Sequence, residues 1–415
     1  MAQPLARLFT VFGRIGLLSF GGPAAQISLM HAELVERNAW LTEKQFLGAL
    51  SFCMLLPGPE AMQLATYAGW RLRGVPGGLI AGLLFVLPGA AVILALALGY
   101  AHLGQVPLVQ SVFVGVKAAV VVIVLQALLS LARRALGGPR DWALAGAAFI
   151  AMFFLSIPFP LIIAAAAAIG ALTAATASAP DSPAAPLVPL RRTLTTIALW
   201  AGLWAAPVIV AAAAGAPFLA DIALFFSRLA VVTFGGAYAV LAYMTQAVVE
   251  TNGWLSTDQM IDALGLAETT PGPLILVTQF VGTLAGFLQG GLPLALLAGA
   301  LTLWVTFTPC FLWIFAGAPY VEALLARPRL KSALAGISAA VVGVILNLSV
   351  WFTLHVMFTE IRETRFAPVP EVTSFSWSAA GLVILAAVLM LGFGRGIVTT
   401  LLVVAAMSGA AAQLL

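Results

Sequence analysis

Phe12-x-Arg14 followed by Phe20-Gly21-Gly22 returns in the second half of the chain as Phe226-x-Arg228 followed by Phe234-Gly235-Gly236, a shift of 214 positions. The register continues without a gap: Met30 matches Met244, Glu36 matches Glu250, Asn38 matches Asn252 and Trp40-Leu41 matches Trp254-Leu255. It runs on through Gln45 and Gln259 to Pro57-Gly58-Pro59 and Pro271-Gly272-Pro273. Eighteen of these 48 aligned positions are identical, more than a biased composition produces by chance. After seven extra residues the register resumes, so that Pro88 matches Pro309 and Gly115-x-x-Ala118-Ala119-Val120-Val121 matches Gly336-x-x-Ala339-Ala340-Val341-Val342. In an apolar chain such a repeat marks a transporter whose site lies where the repeats meet.

Composition makes the chain a polytopic membrane protein. It is 62% hydrophobic and only 8% charged, about a third of the charged fraction of a soluble globule. The formal charge of +4 comes from Lys and Arg near segment ends, which reads as topology and not as nucleic-acid binding. Cys53 and Cys310 lie inside apolar segments and read as buried small hydrophobes. Arg14 interrupts the first apolar run and no small-residue cleavage site follows, so the N-terminal segment is expected to be retained.

Apolar stretches fall near residues 5–22, 42–72, 76–101, 106–132, 142–157 and 158–177 in the first half, and near 218–236, 257–286, 290–318, 331–356, 376–393 and 396–415 in the second. One unpaired stretch, 193–215, lies between them and follows an Ala-, Pro- and Ser-rich linker from Ala177 to Pro189. The expected fold is all-α, with about 13 spans and helices broken at Gly-Gly-Pro and Pro-Gly-Pro. The expected organisation is a first repeat over 1–177, a cytoplasmic linker with an inverting span over 178–216, and a second repeat over 217–415. Basic loops support inversion. Arg71 and Arg73, Arg133 to Arg140, and Arg327 to Lys331 each face a repeat-related loop that is poor in Lys and Arg or mixed in sign. The positive-inside rule then puts the N-terminus in the cytoplasm and the C-terminus in the periplasm of an inner-membrane protein. The Gly-Gly and Pro-Gly-Pro segments read equally as full spans or as re-entrant hairpins.

Gly21, Gly22 and Pro23 end one helix and open another, because paired glycines permit positive φ and Pro suits a first helical turn. Pro57-Gly58-Pro59 does the same, placing Glu60 in the first turn of the next helix. Gly235, Gly236 and Gly272 repeat both devices. Each such N-terminus carries about half a positive charge and offers N–H groups to an anion. The bland reading is a kink made for packing; its recurrence in both repeats favours a site.

Arg14 and Arg228 sit within apolar runs, where an arginine costs at least about 2.5 kcal/mol to insert. An inverted repeat would bring both toward one pseudo-twofold axis, fit for one dianion; the alternative is pairing with an internal carboxylate or snorkelling. Lys117 is a third intramembrane cation, but its counterpart is Ser338, which makes it an adjunct. Gln63, one turn after Glu60, and Gln279 could line the same cavity or join helices by hydrogen bonds. Thr42-x-x-Gln45 and Ser256-x-x-Gln259 read as capping boxes. His31, Glu33 and Glu36 do not share a helical face and make a poor metal site, so no metal or other cofactor is expected.

At these residues the chain resembles the long-chain, ChrA-type chromate ion transporters of the CHR family. The matching text is Phe20-Gly21-Gly22-Pro23 with Gln26 and Met30-His31, then Trp40, then Cys53-Met54-Leu55-Leu56-Pro57-Gly58-Pro59-Glu60-Ala61 with Gln63-Leu64-Ala65-Thr66-Tyr67-x-Gly69-Trp70. Ala25 and Met62 depart from the family pattern, and the second copy lacks the Pro, Glu and Gln that follow its motifs in the first. The resemblance implies efflux of chromate, a sulfate-shaped dianion, by a duplicated and inverted membrane domain. No Gly-x-x-x-x-Gly-Lys-Ser/Thr loop is present, so gradients must supply the energy. A sulfate or other oxyanion exchanger or importer is the alternative, and an intramembrane enzyme built on His31, Glu33 and Glu36 a remote one.

Overall fold

The computed structural model describes residues 3–173, 189–234, 237–321, 324, 327–364 and 368–414. In chain order its helices are α1 (Leu5–Leu18), α2 (Gly22–His31), α3 (Glu43–Cys53), α4 (Glu60–Leu103), α5 (Pro107–Ala135), α6 (Pro139–Phe153), α7 (Phe159–Leu172), α8 (Leu190–Ala213) and α9 (Pro217–Val232). They continue as α10 (Ala237–Gln246), α11 (Thr257–Glu268), α12 (Val277–Gly317), α13 (Pro328–Met357), α14 (Trp377–Ala387) and α15 (Ile397–Leu414). One short antiparallel hairpin, β1 (Ile361–Glu363) with β2 (Pro368–Pro370), is the exception to the all-α expectation among the described residues. Among the described residues, five stretches are long and apolar enough to cross a membrane: Glu60–Leu103, Pro107–Ala135, Leu190–Ala213, Leu274–Tyr320 and Pro328–Met357.

The residues group into two compact units. The first comprises Met1–Ala97, Ala174–Ala237 and Thr270–Lys331, the second Leu98–Thr173, Tyr238–Thr269 and Ser332–Leu415. Each unit draws on both repeats.

In the first unit the breaks read from the sequence reverse the chain. Arg7 Nη2 donates to Asn38 Oδ1 at 3.2 Å, the Phe12 and Trp40 rings lie 6.3 Å apart, and Arg14 meets Glu33. These crossings run α1 antiparallel to α2 and the π-helical turn Ala32–Arg37 that extends it. The Phe52 and Tyr67 rings, 6.0 Å apart, likewise lay the end of α3 against the start of α4. The helix α3 begins where its capping box requires, Gln45 N–H donating to Thr42 Oγ1 at 3.3 Å and Thr42 N–H to Gln45 Oε1 at 3.2 Å. Its counterpart in the second unit, Ser256 with Gln259, opens α11 in the same way.

Helix α4 itself folds back. Arg73 (φ −145°, ψ 23°) and Gly74 (φ 63°, ψ −152°) leave helical geometry, and beyond them a methyl on Gly69 would run into the carbonyl oxygen of Gly77. Residues eight apart in a straight helix are about 12 Å apart, so the two arms must lie side by side. Helix α12 repeats the device: Gly290 and Gly291 make the turn, and a methyl on Gly286 would sit 2.6 Å from Leu294 O. Glycine at these crossings lets backbones touch. The first arms, residues 60–73 and 277–290, are 14 residues each and thus about 21 Å long, short of a bilayer core of about 30 Å. The sequence reading placed a boundary between 72 and 76, where this turn falls, and left the broken segment before it open between a full span and a re-entrant hairpin.

The unpaired stretch forms α8. Of its residues only Ala211 is buried, yet Trp200 stacks on Phe311 at 5.5 Å, Thr193 Oγ1 meets Tyr320 Oη at 2.7 Å, and Trp304 Nε1 donates to Leu203 O at 2.8 Å. The linker ahead of it, up to residue 188, lies outside the described residues. Cys53 and Cys310 are buried and free.

In the second unit small residues again set the helix contacts. Gly115 on α5 abuts Val404 O on α15, its repeat partner Gly336 on α13 abuts Ala166 O on α7, and Ser408 Oγ donates to Ser111 O at 2.6 Å.

Candidate functional site

The break points of the two repeats are tied to each other within the first unit. Gly58 N–H donates to Thr233 O at 2.8 Å, and Gly272 N–H donates to Ser19 O at 2.8 Å. Under the 214-residue shift each bond becomes the other, so the contact has the reciprocal form of a twofold-related pair. Ser19 and Thr233, both buried, are held alike: Ser19 Oγ donates to Ile15 O and Thr233 Oγ1 to Leu229 O, each at 2.6 Å. The turns need glycine, with φ of 86° at Gly21, 79° at Gly22, 116° at Gly58 and 87° at Gly272.

Two glutamines complete the knot. Gln26 Nε2 donates to Gly272 O at 2.7 Å and reaches Ser19 O at 3.4 Å; its repeat counterpart is Val240 and makes no such bond. Gln63 Nε2 donates to Pro57 O at 2.7 Å, stapling its own turn. The Oε1 atoms of both glutamines are buried and have no hydrogen-bond partner among the described residues.

Beside this crossing lies a small cleft lined by Pro23, Gln26, Pro59, Glu60, Thr233 and Pro273 among others. The first turns of α2 and α4 border it, as does the 3-10 turn Leu274–Leu276 that leads into α12. The first N–H groups of a helix have no intrahelical partner, so two helix starts beside one cleft make a setting suited to oxyanion oxygens. Glu60, the first residue of α4, brings a carboxyl group to the same place. Among the described residues no group of three His, Cys, Asp or Glu is placed to hold a metal.

Of the residues singled out from the sequence, Gly21, Gly22, Gly58, Gly272, Glu60 and Gln63 gather at this crossing. Gly235 and Gly236 lie outside the described residues. The arginines are elsewhere. Arg14 Nε is 3.6 Å from Glu33 Oε1, its side chain 57% exposed, and Glu33, only 4% exposed, also takes Arg37 at 2.5 Å. Arg228 is exposed and makes no ion pair among the described residues, because the repeat counterpart of Glu33 is Ala247. Lys117 belongs to the second unit, 2.5 Å from Asp258 Oδ1 and 3.8 Å from Asp262 Oδ1. Gln279 is buried outside the cleft lining. Ser19 and Thr233 were missed, although they occupy one register position just ahead of each Phe-Gly-Gly and so were visible in the alignment.

This asymmetry yields an expected result: Arg14→Ala, which removes one of the two cations on buried Glu33, lowers the thermal midpoint of the purified protein more than Arg228→Ala, whose side chain is exposed. Equal shifts would mean that the pairing of Arg14 with Glu33 adds nothing to the fold.

His31 sits between Glu43 and Glu36, its Nε2 2.6 Å from Glu43 Oε2 and its Nδ1 3.2 Å from Glu36 Oε1. The Glu43 hydrogen bond foremost, then the two carboxylate charges, raises its pKa against a smaller desolvation effect. A raised histidine stabilises the fold below its ordinary value, and that contribution is lost as pH rises through the raised one. The thermal midpoint should therefore fall between about pH 6 and about pH 8 by more in wild type than in Glu43→Gln, modestly because the pair is solvent-screened.

Comparison with known proteins agrees with the resemblance in the motifs. A family model described as chromate transporter matches residues 6–171 and 220–412. The chain is 31% identical over 341 residues to the chromate transport protein of Cupriavidus metallidurans, covering 82% of this chain and 80% of that protein. It is 32% identical over 350 residues to the chromate transport protein of Pseudomonas aeruginosa, covering 82% and 79%. An uncharacterized transporter of Bacillus subtilis matches over 162 residues at 33% identity, which is 38% of this chain but 91% of the shorter protein. No solved structure matches the chain.

Proposed function

The chain belongs to the chromate transporter family, a multi-pass membrane transport protein and not an enzyme, and we propose that it exports chromate from the cytoplasm and so confers chromate resistance. The observation that carries this reading is the family match across both halves of the chain. The dianion binds at the crossing of the broken helices, where the starts of α2 and α4 present backbone donors to its oxygens.

Direction follows from charge. Moving a dianion out of a negative-inside cell is favourable by about 4.6 kcal/mol per 100 mV, from about 2.3 per charge. The potential alone can therefore drive export, whereas import of the same ion would require co-transported cations.

Alternating access arises by rocking of the two repeats about the crossing. The reciprocal bonds of Gly58 with Thr233 and Gly272 with Ser19 support a twofold relation, and the alternating basic loops support an axis in the membrane plane, hence inverted repeats. The short arms on either side of the breaks are re-entrant hairpins, their non-helical tips shielded by protein. On this reading the protein sits in the inner membrane, N-terminus inside and C-terminus outside.

The test is chromate efflux from oriented proteoliposomes. An inside-negative potential should speed loss of loaded chromate, and external sulfate should compete weakly. No potential-dependent chromate flux, with sulfate exchanged instead, would overturn the reading in favour of a sulfate exchanger. Glu60→Gln should retain this flux with unchanged potential dependence, because a neutral amide at the start of α4 no longer opposes the anion.

A further inference from the structure

Helix α11 differs most from its repeat counterpart in charge. Asp258 and Asp262 stand where the first repeat has Lys44 and Gly48, so the second repeat alone carries this pair of carboxylates, one helical turn apart. They are not equivalent. Asp258, in the first turn of α11, is 74% exposed and takes Lys117 Nζ at 2.5 Å. Asp262, one turn deeper, is 4% exposed, and Lys117 stands 3.8 Å from its Oδ1, too far to donate a hydrogen bond.

Asp262 Oδ2 accepts from Tyr100 Oη at 2.7 Å, but Oδ1 is buried and has no hydrogen-bond partner among the described residues. The wall around it is apolar. Gly265 on α11 packs against Val116 on α5, and the Phe113 ring meets Tyr100 edge-on at 5.2 Å. Among the described residues, the charged and titratable groups that face Asp262 are Asp258 on its own helix, Lys117 on α5 and Tyr100 at the end of α4.

With Lys117 held by Asp258, an ionised Asp262 would be a buried carboxylate with no hydrogen-bonded cation, a costly state where water is excluded. One proton on Asp262 makes the cluster neutral. Asp258, exposed and ion-paired through Lys117 to the same site, offers a path to solvent. We propose that Asp262 is a proton-binding site which loads and releases one proton in each transport cycle, held by Tyr100 and tuned by Lys117. This rests on the transport reading above for its role in the cycle, though not for proton binding itself. Proton exchange against the exported dianion adds to the potential as a driving force and makes flux depend on pH.

Two measurements test it. In infrared difference spectra of the purified protein titrated with acid, wild type should show a protonated-carboxyl band that Asp262→Asn removes. Tyr100→Phe, which loses the donor to Oδ2, should shift the midpoint of that band to higher pH and serves if Asp262→Asn fails to fold. In proteoliposomes at clamped zero potential, a chromate gradient should move protons in wild type, while Asp262→Asn should keep chromate counterflow and lose proton movement. A band unaffected by both substitutions, or wild-type proton movement in Asp262→Asn, would overturn the proposal. Absence of any chromate flux in wild type would overturn the transport reading instead, and the band would still decide where the proton binds.

Discussion

Replacing Gly58 or Gly272 by alanine should lower chromate flux at least tenfold and lower the thermal midpoint of the purified protein. Each position has φ well into the region that side chains avoid, 116° and 87°, which costs about 1 to 3 kcal/mol for a residue with a Cβ. A methyl on Gly58 would also lie 2.9 Å from Gln63 Nε2 and 3.0 Å from Cys310 Sγ, and one on Gly272 3.1 Å from Leu276 Cδ1. Relaxing that strain pulls the amide away from the partner repeat's carbonyl, leaving both groups buried and unpaired. Because the two glycines act on one crossing, the double variant should be less damaged than the sum of the singles. Flux and thermal midpoint at wild-type levels in both single variants would show the breaks to be mere kinks.

The second large effect is structural. Gly69→Leu and Gly286→Leu should each prevent recovery of folded protein from the membrane, a loss of more than about 3 kcal/mol, because the clash is with backbone that no rotamer change can move. Gly13→Leu is the control, since nothing lies within 4 Å of the position its Cβ would take. Size-exclusion profiles in detergent distinguish the outcomes. A monodisperse peak for Gly69→Leu would mean that the arms of α4 do not lie against each other.

Break positions were legible in the sequence because they are local: paired glycines and Pro-Gly-Pro dictate backbone angles wherever they occur. What each break does to the direction of the chain was not. The reversal at residues 19–22 depends on Trp40 and Asn38 returning to Phe12 and Arg7, contacts that no spacing rule announces. Arg14 shows the same limit. An arginine in an apolar run demands a partner, but Glu33 reaches it only through that reversal, on a π-helical turn outside the apolar stretches. The partners of Lys117 lie 141 and 145 residues further along the chain, and Tyr100 is 162 residues from Asp262. The candidate site was half legible: the glycines and Glu60 through their own geometry, Ser19 and Thr233 through register alone, and the cleft itself only through packing.

The reciprocal bonds at the crossing also bear on how the protein is made. The amide of Gly58 has no partner until Thr233 is synthesised, and the carbonyl of Ser19 waits for Gly272. At about 5 to 20 residues per second, the 253 residues separating Ser19 from Gly272 represent roughly 13 to 50 s of translation. Throughout that interval the first half carries open backbone groups, each of which would cost several kcal/mol if left in lipid. The nascent first repeat therefore needs water, or a chaperoning surface of the insertion machinery, at its break points until the second repeat arrives to close them.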